Sequence, residues 1–189
     1  MKKTILPPAS FRAKISSESD PGGRKYNEDS CGQYISDDKT VMVFVTADGL
    51  GGHVGGKQAS SLAVNAILGY FQKHPTEESP EALLRNSLEQ ANQAIAEAAG
   101  KDQKLSRMKT TAVILFIKDD KAYWAHVGDS RLYHIRDNRV VFRTTDHSVV
   151  QFLVNTGEIT EAEMRGHPDR NRLLKVLGGN RTTESDLSS

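Results

Sequence analysis

A chain of 189 residues is long enough for one packed core and short for two independent domains, so a single domain over 1–189 is expected. With 25 Lys and Arg against 24 Asp and Glu, the formal charge of +1 gives no global basic field for nucleic acid or an anionic membrane, and neither partner is expected. The single cysteine, Cys31, excludes an intrachain disulfide and a cysteine zinc cluster; the longest apolar run, 112–117, is far below the ~20 residues that span a bilayer.

From the N-terminus, Met1-Lys2-Lys3-Thr4-Ile5-Leu6-Pro7-Pro8 breaks before a signal-peptide core can form, and a cytoplasmic location is expected. Residues 40–47, Thr-Val-Met-Val-Phe-Val-Thr-Ala, read as a buried strand that runs into a glycine-rich loop at 48–56. Ala59, Leu62, Ala63, Ala66, Ile67, Tyr70 and Phe71 then recur at helical spacing, which predicts a helix over 57–72. A second helix is predicted over 80–99: Ser79 can cap it, Pro80 suits its first position, and Gly100 suits its end. Strands follow at 111–118, 121–127, 131–136 and 139–144, with turn signals at Asp119-Asp120 and Asp137-Asn138. They predict an antiparallel meander, and the apolar stretch 112–117 predicts cover on both of its faces. This order of elements argues for α+β architecture. Ser148-Val149-Val150-Gln151 and Thr160-Glu161-Ala162-Glu163 are capping-box patterns opening short helices, and the polar tail 180–189 is expected to be loose.

Three clusters can carry chemistry. In Arg24-Lys25-Tyr26-Asn27-Glu28-Asp29 the adjacent carboxylates either lie in a solvated mixed-charge loop or bind a hard divalent ion through oxygen. Asp48-Gly49 ends the apolar strand; its carboxylate either caps the turn into the helix or is compensated by a cation, with Gly49 letting a carbonyl approach the same ion. Gly128-Asp129, inside His126-Val127-Gly128-Asp129-Ser130-Arg131, reads as a bend that re-aims an aspartate. A competing pattern, 51–58, has the glycines and Lys57 of a phosphate-binding P-loop, but Gln58 stands where Ser or Thr should bind magnesium, and a meander conflicts with the parallel sheet such nucleotide binders use.

Taken in order, Arg24-Lys25-Tyr26-Asn27-Glu28-Asp29, Ala47-Asp48-Gly49-Leu50-Gly51-Gly52-His53, Thr110-Thr111-Ala112, Val127-Gly128-Asp129-Ser130-Arg131 and Asp146-His147-Ser148 resemble the successive signatures of the PPM-type, metal-dependent protein Ser/Thr phosphatases. The resemblance runs over 15–179, includes 171–178, and is to the short bacterial members. It implies a four-layer α/β/β/α sandwich of two antiparallel sheets flanked by helices, with two Mn or Mg ions at one end. By motif position it implies that Asp48 bridges both ions, that Glu28 and the Gly49 carbonyl bind one of them, and that Asp29 supports the cluster through water. It further implies that Arg24 clamps the substrate phosphate and that Asp129 helps hold a third, weaker ion. The substrates implied are phosphoproteins opposed by a Ser/Thr kinase. Leu50 stands where some members place a histidine acid, which leaves His53, metal-bound water or another group as proton donor. The family's later Asp-Gly and Asp-Asn motifs are absent, so a C-terminally incomplete sandwich, a weak metal site and low activity are expected. The alternative is an inactive pseudophosphatase that binds phosphoproteins.

Overall fold

The computed structural model describes residues 14–50, 54–74, 79–118 and 120–178, and the backbone of 186–188. Its centre is β2 (Val41–Ala47), whose β-branched residues fit a pleated surface and bury Val41, Val43, Val45 and Ala47 on one face. β1 (Ser30–Ile35) pairs on one side of it and β5 (Ala112–Lys118) on the other; β6 (Lys121–Val127) follows β5. With β9 (Asp186–Ser188) the order is β1-β2-β5-β6-β9, and every ladder is antiparallel. That ladder type overturns the P-loop reading, which requires a parallel sheet. The tail expectation is corrected too: 186–188 take up the backbone groups at the open edge of β6.

Two helices cover one face of this sheet. α1 (Val54–Lys73) begins three residues before the predicted start, and α2 (Pro80–Lys101) runs through Gly100, so the expected glycine stop is wrong and Asp102 takes the C-cap position. Ser79 does cap the first turn of α2, accepting the Ala82 N–H at 3.2 Å. The stripes Ala59, Ala63, Ile67, Phe71 and Leu84, Leu88, Ala91, Ile95 close over Val43, Val45, Ile114 and Phe116. Phe71 and Phe116, with ring centroids 5.0 Å apart, are fully buried, each stabilising the fold by roughly 1.5–3 kcal/mol. β1 was not anticipated, because Ser30, Gly32 and Gln33 dilute its apolar signal. Gly32 lets α1 pack closely there: a Cβ would lie 2.8 Å from side-chain methyls of Val64 and Leu68, which would have to shift.

The predicted meander is divided. β7 (Tyr133–Arg136) and β8 (Arg139–Arg143) form a separate two-stranded sheet. Gly128 causes the break, with φ +105° and the Thr111 side chain filling the space of a Cβ. Thr144 closes the neck of the hairpin: its N–H reaches the Leu132 carbonyl at 3.1 Å and its hydroxyl accepts the Leu132 N–H at 3.0 Å. The hairpin leans on the main sheet through Trp124 and Phe142, ring centroids 4.8 Å apart. Cover on both faces therefore holds only partly for 112–117, since Leu115 and Ile117 stay half-exposed. α3 (Val149–Asn155) and α4 (Glu161–Met164) open where predicted, but only α4 completes its capping box, the Glu163 carboxylate taking the Thr160 N–H at 2.8 Å. At α3 the Ser148 hydroxyl takes the Gln151 N–H at 3.2 Å, while the Gln151 side chain turns to Asn155 at 3.0 Å instead of returning a bond. The fold is α+β, with antiparallel sheets and flanking helices. Among the described residues no helix is long and apolar enough to cross a membrane.

Candidate functional site

The site starts where β2 ends. Beyond Ala47 the chain turns into β3 (Gly49–Leu50), which pairs with β4 (Lys109–Thr110), so the main chain of Asp48 faces Thr110 and Thr111. The Asp48 N–H donates to the Thr111 hydroxyl at 3.0 Å. Its carbonyl accepts the Thr111 N–H at 2.9 Å and the Thr110 hydroxyl at 2.8 Å. These contacts fix the backbone and leave the carboxyl with one task. Asp48 Oδ1 is buried and has no hydrogen-bond partner, a costly state for a carboxylate oxygen. Its pKa is pushed up to about 6, first by burial, then by the charge and hydrogen bond of Asp29 and the charge of Asp129, against which Arg24 pulls.

Glu28 is brought to Asp48 by the start of α1. The Gly56 Cα lies against the Glu28 carboxylate, where any Cβ would collide with Oε2, while a Cβ on Gly49 would strike the Gly56 and Glu28 carbonyls. The two glycines thus form a cradle that only backbone can line. The Ser60 hydroxyl, fully buried, donates to the Glu28 carbonyl at 2.5 Å, and the Lys57 ammonium donates to the Asp29 carbonyl at 2.6 Å. Glu28 and Asp29 are therefore not in a free solvated loop. α1 holds their backbone.

Asp129 stands on the rim, exposed, yet the protein around it raises its carboxyl pKa, with Asp146 adding repulsion and Arg131 opposing. Its loop is anchored by His147, which accepts the Gly128 N–H on Nδ1 at 3.2 Å and donates its own amide to the Gly128 carbonyl at 2.9 Å. Behind it Arg131 grips Asp146 through two 2.6 Å bonds, which raise the guanidinium pKa further. Arg24 is exposed at the opposite rim on a turn closed by its N–H to the Pro21 carbonyl at 3.0 Å.

Five predicted residues, Glu28, Asp29, Asp48, Gly49 and Asp129, thus gather at one end of the sheets, with Arg24 beside them. His53 lies outside the described residues. Among the described residues, no three His, Cys, Asp or Glu side chains converge tightly enough to enclose a metal alone. The donors still fit a hard divalent ion, because Asp48 offers an unclaimed buried oxygen, the charges of Asp29 and Asp129 reach it, and Mg or Mn keeps water in its shell. Ser60 and the bond of Thr111 to Asp48 escaped the sequence reading. Ser60 lies 32 residues from Glu28, and only the small residues opening α1 hint at the close approach.

Residues 23–178 match the family described as protein phosphatase 2C. The chain is 36% identical over 166 residues to a serine/threonine phosphatase, stp, of Listeria welshimeri, covering 86% of this chain and 66% of that protein. It is similar to a crystal structure of a bacterial serine phosphatase, with TM-score 0.83, 32% identity, and coverage of 90% of this chain and 70% of that one. A structure of the catalytic domain of the serine threonine protein phosphatase PstP in complex with two manganese ions matches with TM-score 0.70 and 30% identity, over 87% of this chain and 66% of that one. The chain spans just under two thirds of the length of the Listeria relatives it matches.

Proposed function

The chain belongs to the protein phosphatase 2C family, and from that membership we propose that it hydrolyses phosphoserine and phosphothreonine in proteins that a Ser/Thr kinase has modified. The observation that carries this is the buried Asp48 Oδ1, left without a partner beside Asp29 and Asp129. A family relative crystallised with two manganese ions supports Mn or Mg as the compensating cation. When bound, a pair of hard divalent ions lowers the pKa of a shared water so that it can attack phosphorus in line, and offsets the charge that develops.

Each residue then has its own task. Asp48 would serve both ions, Glu28 and the Gly49 carbonyl would hold one, Asp29 would steady the cluster through water, and Asp129 would help hold a third, weaker ion. The Arg24 guanidinium, a planar fork, positions two phosphate oxygens. The proton for the leaving oxygen comes from His53, from bound water or from another group. Turnover by this chain is expected to be low and to rise with Mn concentration, because few carboxylates hold the ions. The test is phosphate release from a phosphoserine peptide with Mn and with chelator; equal rates would overturn the proposal. A second reading, phosphoprotein binding without turnover, is the outcome if the peptide binds in Mn but is not cleaved.

A further inference from the structure

Beside the site lies an open cleft of about 310 Å³ bordered by Asp29, Ser30, Lys57, Ser61, Asn65 and Ser19. Its walls combine hydroxyls, one amide, the Lys57 cation and the Asp29 carboxylate with Cys31 and Val64, which suits a guest with a polar end and an apolar stem. The charge of Asp29 also acts on Asp48, whose carboxyl it raises, and Lys57 is the one cation in the cleft lining. Its ammonium gives one N–H to the Asp29 carbonyl at 2.6 Å and one to the Ser30 hydroxyl at 3.2 Å. An ammonium has three donors, so one remains, and among the described residues no carboxylate pairs with it. The two contacts also pin the flexible lysine stem, which lowers the entropy lost when an anion arrives.

We propose that this cleft is a substrate subsite, which receives the carboxylate of an acidic residue within two positions of the phosphorylated serine or threonine, with Lys57 as its cation. The inference rests on the phosphatase reading above. The cleft and the candidate metal site share Asp29, and an extended peptide advances ~3.3 Å per residue, which keeps the contacting residue close to the phosphate in sequence. Ser61 and Asn65, on the same side of α1, supply further hydrogen bonds to the carboxylate.

The experiment measures binding of fluorescein-labelled peptides to the full chain in Mn by anisotropy. A methylene replaces the ester oxygen of phosphoserine, and Glu or Ala occupies the flanking positions. The Glu peptide should bind about fivefold tighter than the Ala peptide, the size of one partly screened charged hydrogen bond. Lys57→Gln should bring that ratio below twofold, and Ser61→Glu, which sets a competing carboxylate one helical turn from Lys57, should reverse it. A ratio within twofold in the parent chain, or one unchanged in Ser61→Glu, overturns the subsite. If the Glu preference is found but the matching phosphoester peptides are not hydrolysed, the phosphatase reading falls and the subsite stands.

Discussion

Asp48 and Thr111 hold each other by reciprocal contacts: the Asp48 amide donates to the Thr111 hydroxyl at 3.0 Å, and the Thr111 amide returns a bond to the Asp48 carbonyl at 2.9 Å. Thr111 also bonds Ser130, next to Asp129, at 2.6 Å. One buried hydroxyl thus links the backbones behind two site carboxylates, across the join of the two sheets. Thr111→Val should leave the Asp48 amide unpaired and cost roughly 1–3 kcal/mol, whereas Thr111→Ser, which keeps the hydroxyl, should recover much of that. Thermal unfolding of the three proteins decides it; equal midpoints for Val and Ser would mean that the hydroxyl does not matter.

Gly56→Ala tests whether Glu28 belongs to the metal site. Helix propensity alone favours alanine over glycine by about 1 kcal/mol, which offsets only part of the clash with Glu28. The added methyl meets the Glu28 carboxylate and presses on the Gly49 carbonyl carbon. We expect Mn affinity to fall by about tenfold or more, equivalent to a lost ligand interaction of ~1.4 kcal/mol. Unchanged affinity by calorimetry would place Glu28 outside the metal site.

Arg24→Lys should act on phosphate and spare metal. Lysine keeps the charge but loses the two-oxygen fork. The expected outcome is a KM for phosphopeptide raised by about tenfold, with Mn affinity changed less than twofold. An equal loss of Mn affinity would give Arg24 a structural role instead.

The raised pKa of Asp48 has a consequence for the metal-free chain. A carboxyl whose folded pKa is lifted from 3.8 to about 6 favours the folded state when protonated. That contribution is fully present below pH 4 and is lost as pH rises through 6. At pH 7 without metal, Asp48→Asn should therefore raise stability, by roughly 1–2 kcal/mol after allowance for water at the open side of the site. Near pH 4 the gain should vanish. A midpoint difference that does not change between pH 4 and 7 would contradict it.

Much of this was legible in the sequence, for identifiable reasons. Val41 to Ala47 and the stripes of α1 and α2 carry strong periodic signals because they face one core. Ser148 and Thr160 announce their helices through local capping chemistry that needs no tertiary context. Glu28, Asp48 and Asp129 stood out as carboxylates at the ends of strands and loops. β1 was hidden because α1 covers it closely at Gly32, where small residues replace the apolar pattern. The split between β6 and β7 depends on the φ of Gly128, and the strand at 186–188 depends on the open edge of β6; neither is written in local composition. Lys57 looked like part of a phosphate loop, since its contact with Asp29 exists only once α1 has packed beside β1.

The claim that Asp48 anchors a hard-metal site is tested most directly by calorimetric titration of Mn into the parent chain and into Asp48→Asn at neutral pH. The account predicts saturable heat for the parent and its loss for the variant, because the buried Oδ1 has nothing else to bind. Identical heats for the two proteins would contradict it.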